Sequence, residues 1–284
     1  MNLLKSTYVF SFYTLLSRIL GYLRDILIAA AIGASALADA FFVAFRLPNT
    51  FRRLFAEGTF NAAFIPSYSG QKIASAEKGK KFADEVFTLL TIFLLILVLL
   101  AEIFTPFLVF IIAPGFSIDQ NKFSLAVDFT RITFPFLIFV SLSSFFSGIL
   151  NTHNKFAAAA AAPIILNIIL IISLIFSYVF EMNFALNLSY AVPISGLIQL
   201  VFLIFCVKKY YKPSLVIKSY VSQKVKIFLF KLLPSIFSSG VTQINIFVGT
   251  IIASFQAGAV SYLYYADRIY QINLAIAGIA VSTV

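Results

Sequence analysis

Long apolar runs recur along this chain, at 6–32, 36–65, 86–112, 128–150, 157–180, 184–207, 227–256 and 259–284. An α-helix needs about 20 consecutive apolar residues to cross hydrocarbon, so each run is a candidate span. Within lipid every backbone donor and acceptor must be satisfied internally, which leaves helices or a closed barrel. A barrel would read as alternating segments of about 10 residues, whereas these runs are longer and continuously apolar. The chain is 61% hydrophobic and 11% charged, against about 25% charged in soluble domains. The fold class implied is all-α, a polytopic helical membrane protein with eight transmembrane helices in this chain.

The loops supply the orientation. Lys5 precedes the first run, Lys72, Lys78, Lys80 and Lys81 follow the second, Lys155 follows the fourth, and a cluster from Lys208 to Lys226 follows the sixth. The alternate loops carry almost no lysine. Under the positive-inside rule the lysine-rich loops and the N-terminus lie in the cytoplasm. Lysines placed by topology give no reason to expect a nucleic-acid partner; membrane lipids are the expected surroundings, and a monomer the expected state. The N-terminal segment runs well past a short signal-peptide core and has no small-residue cleavage site. A single Cys206 and a single His153 leave no internal disulfide and no thiolate–imidazole metal cluster. No cofactor is called for, and no nucleophile, metal cluster or nucleotide loop points to an enzyme.

The arginines behave differently from the lysines. Arg18, Arg24, Arg46, Arg52, Arg53, Arg131 and Arg268 all lie within or at the edge of apolar runs, while the lysines lie outside them or at their ends. A charge at mid-bilayer costs about 2.5–3.5 kcal/mol even on the lenient insertion scale, so such residues face a bundle interior or a wet cavity. The stretch from Ser17 to Gly58 holds five arginines together with Asp25, Asp39 and Glu57. Guanidinium groups grip phosphate or carboxylate bidentately. The pattern points to a cationic cavity that binds an anion.

Local details refine this picture. Gly21 is expected to open or bend the first helix so that Arg18 and Arg24 both turn inward, the alternative being that Arg18 snorkels and Arg24 pairs with Asp25. Pro48 is expected to kink or break the second. Arg53 and Glu57, four residues apart, can pair with each other; Arg52 has no carboxylate at helical spacing and so suits an external anion. Residues 70–85 read as a solvated, partly helical connector. Glu102 reads as an interfacial carboxylate, His153 as part of a cytoplasmic turn, and Asn151, Asn154 and Asn167 as caps or interhelical hydrogen bonds. The basic segment 208–226 reads as a linker whose second half suits an interfacial amphipathic helix. It divides a first lobe, 1–207, from the start of a second, 227–284. Aligning DAFFVAFRL (39–47) with SYLYYADRI (261–269) sets Arg46 over Arg268, a hint that the second lobe repeats the first. The second copy stops inside an apolar run, as a truncated chain would.

Several motifs carry a family resemblance: MNLLKS at the start, SRILGYLRD (17–25), ADAFFVAFRLPNTFRRLFAEGTFNAAFIP (38–66), APGF (113–116), ITFPF (132–136), GILNT (148–152) and YYADR (264–268). Together they resemble the MurJ (MviN) lipid II flippases of the multidrug/oligosaccharidyl-lipid/polysaccharide exporter superfamily. The resemblance implies a two-lobed, inverted-V transporter of about 14 spans, of which this chain would be an N-terminal fragment in the bacterial inner membrane. It also implies functional roles for Arg18, Arg24, Arg52, Arg268 and Asp39, with Asp25, Arg46, Arg53 and Glu57 as secondary candidates. The function it implies is movement of undecaprenyl-pyrophosphate-linked peptidoglycan precursor, lipid II, from the cytoplasmic to the outer leaflet by alternating access, the arginines taking the pyrophosphate. The alternatives are a flippase for another polyprenyl-pyrophosphate glycan or a non-transporting envelope scaffold. A drug or cation antiporter should show inward carboxylates where this chain has arginines.

Overall fold

The computed structural model describes residues 3–55, 59–216 and 221–282, with side chains for 8–50, 52, 60–216, 221–234, 240 and 243–271. The described residues form helices and no strands. These are α1 (Leu3–Ile32), α2 (Ala36–Phe55), α3 (Thr59–Ala74), α4 (Ala76–Ile103), α5 (Thr105–Ile112), α6 (Gln120–Thr133), α7 (Phe136–Thr152), α8 (Phe156–Val179), α9 (Phe184–Val207), α10 (Gln223–Ala253) and α11 (Ala259–Ser282). A short 3-10 turn, Pro114–Ile118, separates α5 from α6. Among the described residues, each expected apolar run is mostly helix. Among the described residues, four helical segments, Ala76–Ile103, Gln120–Thr152, Phe156–Val179 and Phe184–Val207, are both long and apolar enough to cross a membrane.

Local chemistry sets several boundaries. Ser75 caps α4 by accepting from the Glu77 amide, and Asp119 caps α6 by accepting from the amides of Asn121 and Lys122. Pro106 stands at the first turn of α5, just beyond the break at Phe104, where its missing donor costs nothing. Pro135 parts α6 from α7 in the same region of sequence where one span was expected.

The opening expected at Gly21 and the break expected at Pro48 are not found. α1 is continuous through Gly21, whose open side lies against the Asn167 amide of α8; the missing side chain lets two helices approach and does not open one. α2 continues through the buried Pro48 to Phe55. The 70–85 connector is helical almost throughout, α3 and α4 being parted only by Ser75, and Gly79 packs within about a Cβ's reach of the Lys72 backbone. The basic linker is non-helical over 211–216, and the helical part of 208–226 merges into α10 from Gln223.

α2 is the hub. Every residue from Ala38 to Phe45 is buried, Asp39 among them, so this part of the helix is enclosed on all sides. It packs against α6, α7, α9, α10 and α11. α8 lies between α1 and α9, and α10 crosses α3. A Phe cluster fills the latter junction, with Phe228 edge-on to Phe60, Phe64 and Phe82. The outward faces of α4, α5 and α8 instead expose large apolar residues such as Leu99, Phe107 and Ile172, as a lipid-facing surface does.

The loops gather into two ends in the phase the lysines predict. At one end the linker is tied to α4: the Tyr211 hydroxyl donates to Asp84 at 2.6 Å, the Val216 amide to Thr88 at 2.9 Å, and Ser222 to Glu85. Burial and the Asp84 carboxylate hold the Tyr211 phenol well above its usual range. Lys72 meets His153 there at 3.3 Å. At the other end, Gly33, the 114–118 turn and the α10–α11 connection meet: the Gly115 amide donates to Ser254 and the Tyr265 hydroxyl to the Gly33 carbonyl.

Candidate functional site

Three helices turn polar residues toward a common cleft. On α2, Phe42, Arg46 and Asn49 share a face at spacings of four and three residues; on α11, Tyr264 and Arg268 do the same; α10 contributes Gln243 and Ile246. The cleft between them is small, with about 30 Å³ open to a water-sized group. Phe42 stacks on Tyr264 with ring centroids 4.0 Å apart. Arg46 donates from Nη1 to the Thr250 hydroxyl of α10.

Behind Tyr264 the charges converge on Asp25. Arg24, 5% exposed, folds back so that Nε and Nη2 donate to Asp25 Oδ1 at 2.9 and 2.6 Å, and its Nη1 donates to Asn167 Oδ1 on α8 at 2.8 Å. Asn167 in turn donates to the Ser17 carbonyl of α1 at 2.9 Å. From α11, Arg268 Nε lies 3.2 Å from Asp25 Oδ2, an ion pair whose N–H is not aimed at the oxygen. The Tyr264 hydroxyl donates to Asp25 Oδ1 at 3.1 Å and accepts from Arg268 Nη2 at 3.2 Å. Two guanidinium groups thus share one carboxylate and keep one net positive charge beside the cleft. Asp267 makes no ion pair with Arg268; its carboxylate takes the Gln271 amide at 2.6 Å.

Asp39 forms a second, separate cluster. It is fully buried and accepts at Oδ2 from Lys122 Nζ at 2.6 Å and the Gly258 amide at 2.9 Å, and at Oδ1 from the Ser261 amide at 2.9 Å and hydroxyl at 2.6 Å. The carboxylate of α2 therefore caps the start of α11, where helix amides lack partners and the dipole favours an anion. Lys122 is itself buried and lies 4.1 Å over the Phe116 ring. With four donors on its two oxygens, Asp39 lies apart from the cleft lining.

The structure brings Arg24, Asp25 and Arg268 together and sets Arg46 on the same cleft. Arg18 is exposed on α1 and has no hydrogen bond or ion pair among the described residues. Arg52 is half-buried, its Nε donating to Asn49 Oδ1 at 2.9 Å. The Arg53 side chain and Glu57 lie outside the described residues. Sequence reading missed Tyr264 and Thr250 as partners of the arginines, and Lys122 as the partner of Asp39. The signal for Tyr264 was present: the alignment that sets Arg46 over Arg268 also sets Phe42 over Tyr264 and Asp39 over Ser261, and both of these pairs touch. Equivalent residues meet where a two-fold axis passes between two copies.

The model of the family described as Lipid II flippase MurJ matches residues 28–284. Among curated relatives, a probable lipid II flippase MurJ of Rickettsia prowazekii is 42% identical over 284 residues, covering 100% of this chain and 56% of the relative. The lipid II flippase MurJ of Burkholderia cenocepacia is 37% identical over 290 residues, again with 100% of this chain and 56% of the relative. The chain spans about half the length of the curated relatives it matches. A solved lipid II flippase MurJ in an inward closed conformation superposes with a TM-score of 0.79 at 31% identity, over 93% of this chain and 55% of that one. An outward-facing multidrug resistance transporter of the MATE family shares the fold alone, with a TM-score of 0.67 at 18% identity, over 94% of this chain and 60% of that one. By the match along nearly all its length, this chain belongs to the lipid II flippase MurJ family.

Proposed function

We propose that this chain forms the first lobe (1–207), the linker (208–226) and the opening helices of the second lobe (227–284) of a transporter in the bacterial inner membrane. It carries lipid II from the cytoplasmic to the outer leaflet by alternating access. The observation that carries the reading is the convergence of Arg268 from α11 with Arg24 from α1 on a single carboxylate, beside an open cleft that Arg46 and Arg268 line.

The pyrophosphate is the costliest part of such a ligand to bring through hydrocarbon, and fixed guanidinium groups replace its water. Asp25 holds the place of the anion between ligands. It neutralises one of two arginines, so a pyrophosphate entering the cleft meets a site with positive charge to spare and takes over Arg268 without leaving a buried charge unpaired. Because Arg268 and Arg24 belong to different lobes in this reading, the ligand binds the drawn-together state more tightly than the parted one, which is the differential affinity that alternating access needs. Arg18 and Arg52 stand at the approach as further phosphate contacts. Asp39 serves the joint at the outer end and does not touch the ligand. The lysine-rich end, with its linker strapped to α4, is the cytoplasmic end.

The test is binding of undecaprenyl pyrophosphate and of lipid II to the intact protein in nanodiscs. Arg268→Ala should weaken both by at least tenfold and Arg268→Lys by less, and cells depleted of their own flippase should not be rescued by Arg268→Ala. Unchanged affinity in Arg268→Ala would sink the shared-anion site; rescue by it would favour the scaffold.

A further inference from the structure

One polar side chain on the cleft is not used by the anion site. Gln243 lies on α10, with Thr242 and Asn245 as polar neighbours in sequence and Ile244 and Ile246 among the apolar ones. It is 6% exposed and lines the cleft shared by Arg46, Asn49 and Arg268. Its Oε1 is buried with no hydrogen-bond partner among the described residues. Of the other polar groups on the cleft, Arg46 is engaged by Thr250, Asn49 Oδ1 by Arg52, and Arg268 and Asp267 by Gln271.

A buried amide normally finds a partner, and one left without needs a reason. Packing does not supply it, since a leucine would fill this position without the cost of desolvating an amide. Nor does the anion site: an amide has no net charge, and arginines already serve that purpose. What an amide offers is one acceptor and two donors on a single rigid head, matched by a neutral group that can both give and take a hydrogen bond.

We propose that Gln243 forms a second subsite of the cleft, which takes a hydroxyl or amide of the sugar bonded to the pyrophosphate. The inference rests on the flippase reading above and adds to it the residue that distinguishes a glycan-bearing ligand from the bare lipid pyrophosphate. The arginines bind either ligand; Gln243 is satisfied only by the one that carries a sugar. A site with a polar group left unpaired discriminates against the ligand that fails to pair it.

The experiment compares two probes, undecaprenyl pyrophosphate and lipid II, on the intact protein in nanodiscs with Gln243→Leu and Gln243→Met. Lipid II should bind each variant about tenfold more weakly than the unaltered protein, as loss of one well-made hydrogen-bonding pair predicts. Undecaprenyl pyrophosphate should bind as before. The midpoint of thermal unfolding without ligand should stay level or rise, because the replacement removes an unpartnered amide; a structural amide would lower it. Equal weakening toward both probes, or no weakening toward lipid II, overturns the subsite while leaving the arginine site intact. If the unaltered protein distinguishes neither probe from a neutral polyprenol, the flippase reading itself fails and the subsite falls with it.

Discussion

At the scale of single residues, the buried carboxylates Asp25 and Asp39 have opposite offices. Asp25 has one poorly aligned partner in Arg268, which a stronger anion can take over. Asp39 has four well-made ones, distributed over α6 and α11. Replacing Asp39 by Asn keeps the shape but leaves Lys122 buried without a counter-charge, a change that costs about 3–5 kcal/mol when a buried pair is broken from one side. Asp39→Asn should therefore lower the thermal midpoint of the detergent-solubilised protein markedly, and adding Lys122→Met should recover much of the loss. A double variant no more stable than Asp39→Asn alone would show that Lys122 is not the group left stranded. The arginines were legible in the sequence because a charge inside an apolar run has few explanations. Their partners were not. Lys122 reads as the one lysine of the 113–127 loop, set against nearby Asp119, and the acid it neutralises lies 83 positions away. Arg24 pairs with Asp25, as the alternative reading of the first helix had it: the two point about 100° apart on a helix, but a guanidinium on a long flexible stem reaches back where a shorter side chain would not.

Among the elements, the apolar runs located helices well, because a span is a composition signal that length alone makes specific. Breaks within them were misread where glycine and proline were taken at face value. Gly21 serves an approach between α1 and α8, and Pro48 is carried inside a helix that the surrounding bundle encloses; in each case tertiary packing decided what the local residue would do. The clearest element-scale joint was invisible in sequence. Gly115, in the turn between α5 and α6, lies so near the end of α10 that a Cβ there would stand 2.5 Å from the Ser254 carbonyl carbon and oxygen. Gly115→Ala should force that turn from α10 and lower the thermal midpoint by several degrees, whereas alanine at Gly70, which has no atoms within 4 Å of the added carbon, should not. Equal midpoints for the two variants would mean that the joint yields without cost.

For the whole molecule, the segregation of loops into two ends makes a topological statement. Lys78 lies exposed at the end that carries Asp84, His153 and the linker; Gln120 lies exposed at the end that carries Asp39 and Ser254. With Cys206 replaced, a cysteine at position 78 should react with an impermeant maleimide only after the inner membrane is opened, and one at position 120 in intact spheroplasts. Reaction of both from the same side would overturn the orientation. Which of the two ends yields first during a transport cycle depends on how their contacts fail with distance. The linker end is tied by side chains, whose hydroxyls and carboxylates can follow one another through small displacements. The end at Gly115 has the Asp39 cluster as well, but there backbone is also pressed on backbone, and dispersion between such surfaces forfeits a quarter to a half of its strength over a gap of 0.5–1 Å. A joint of that kind has little elastic range. It behaves as a detent, holding nearly its full strength until it slips and then offering almost no resistance, so its two positions are visited with few stops between them.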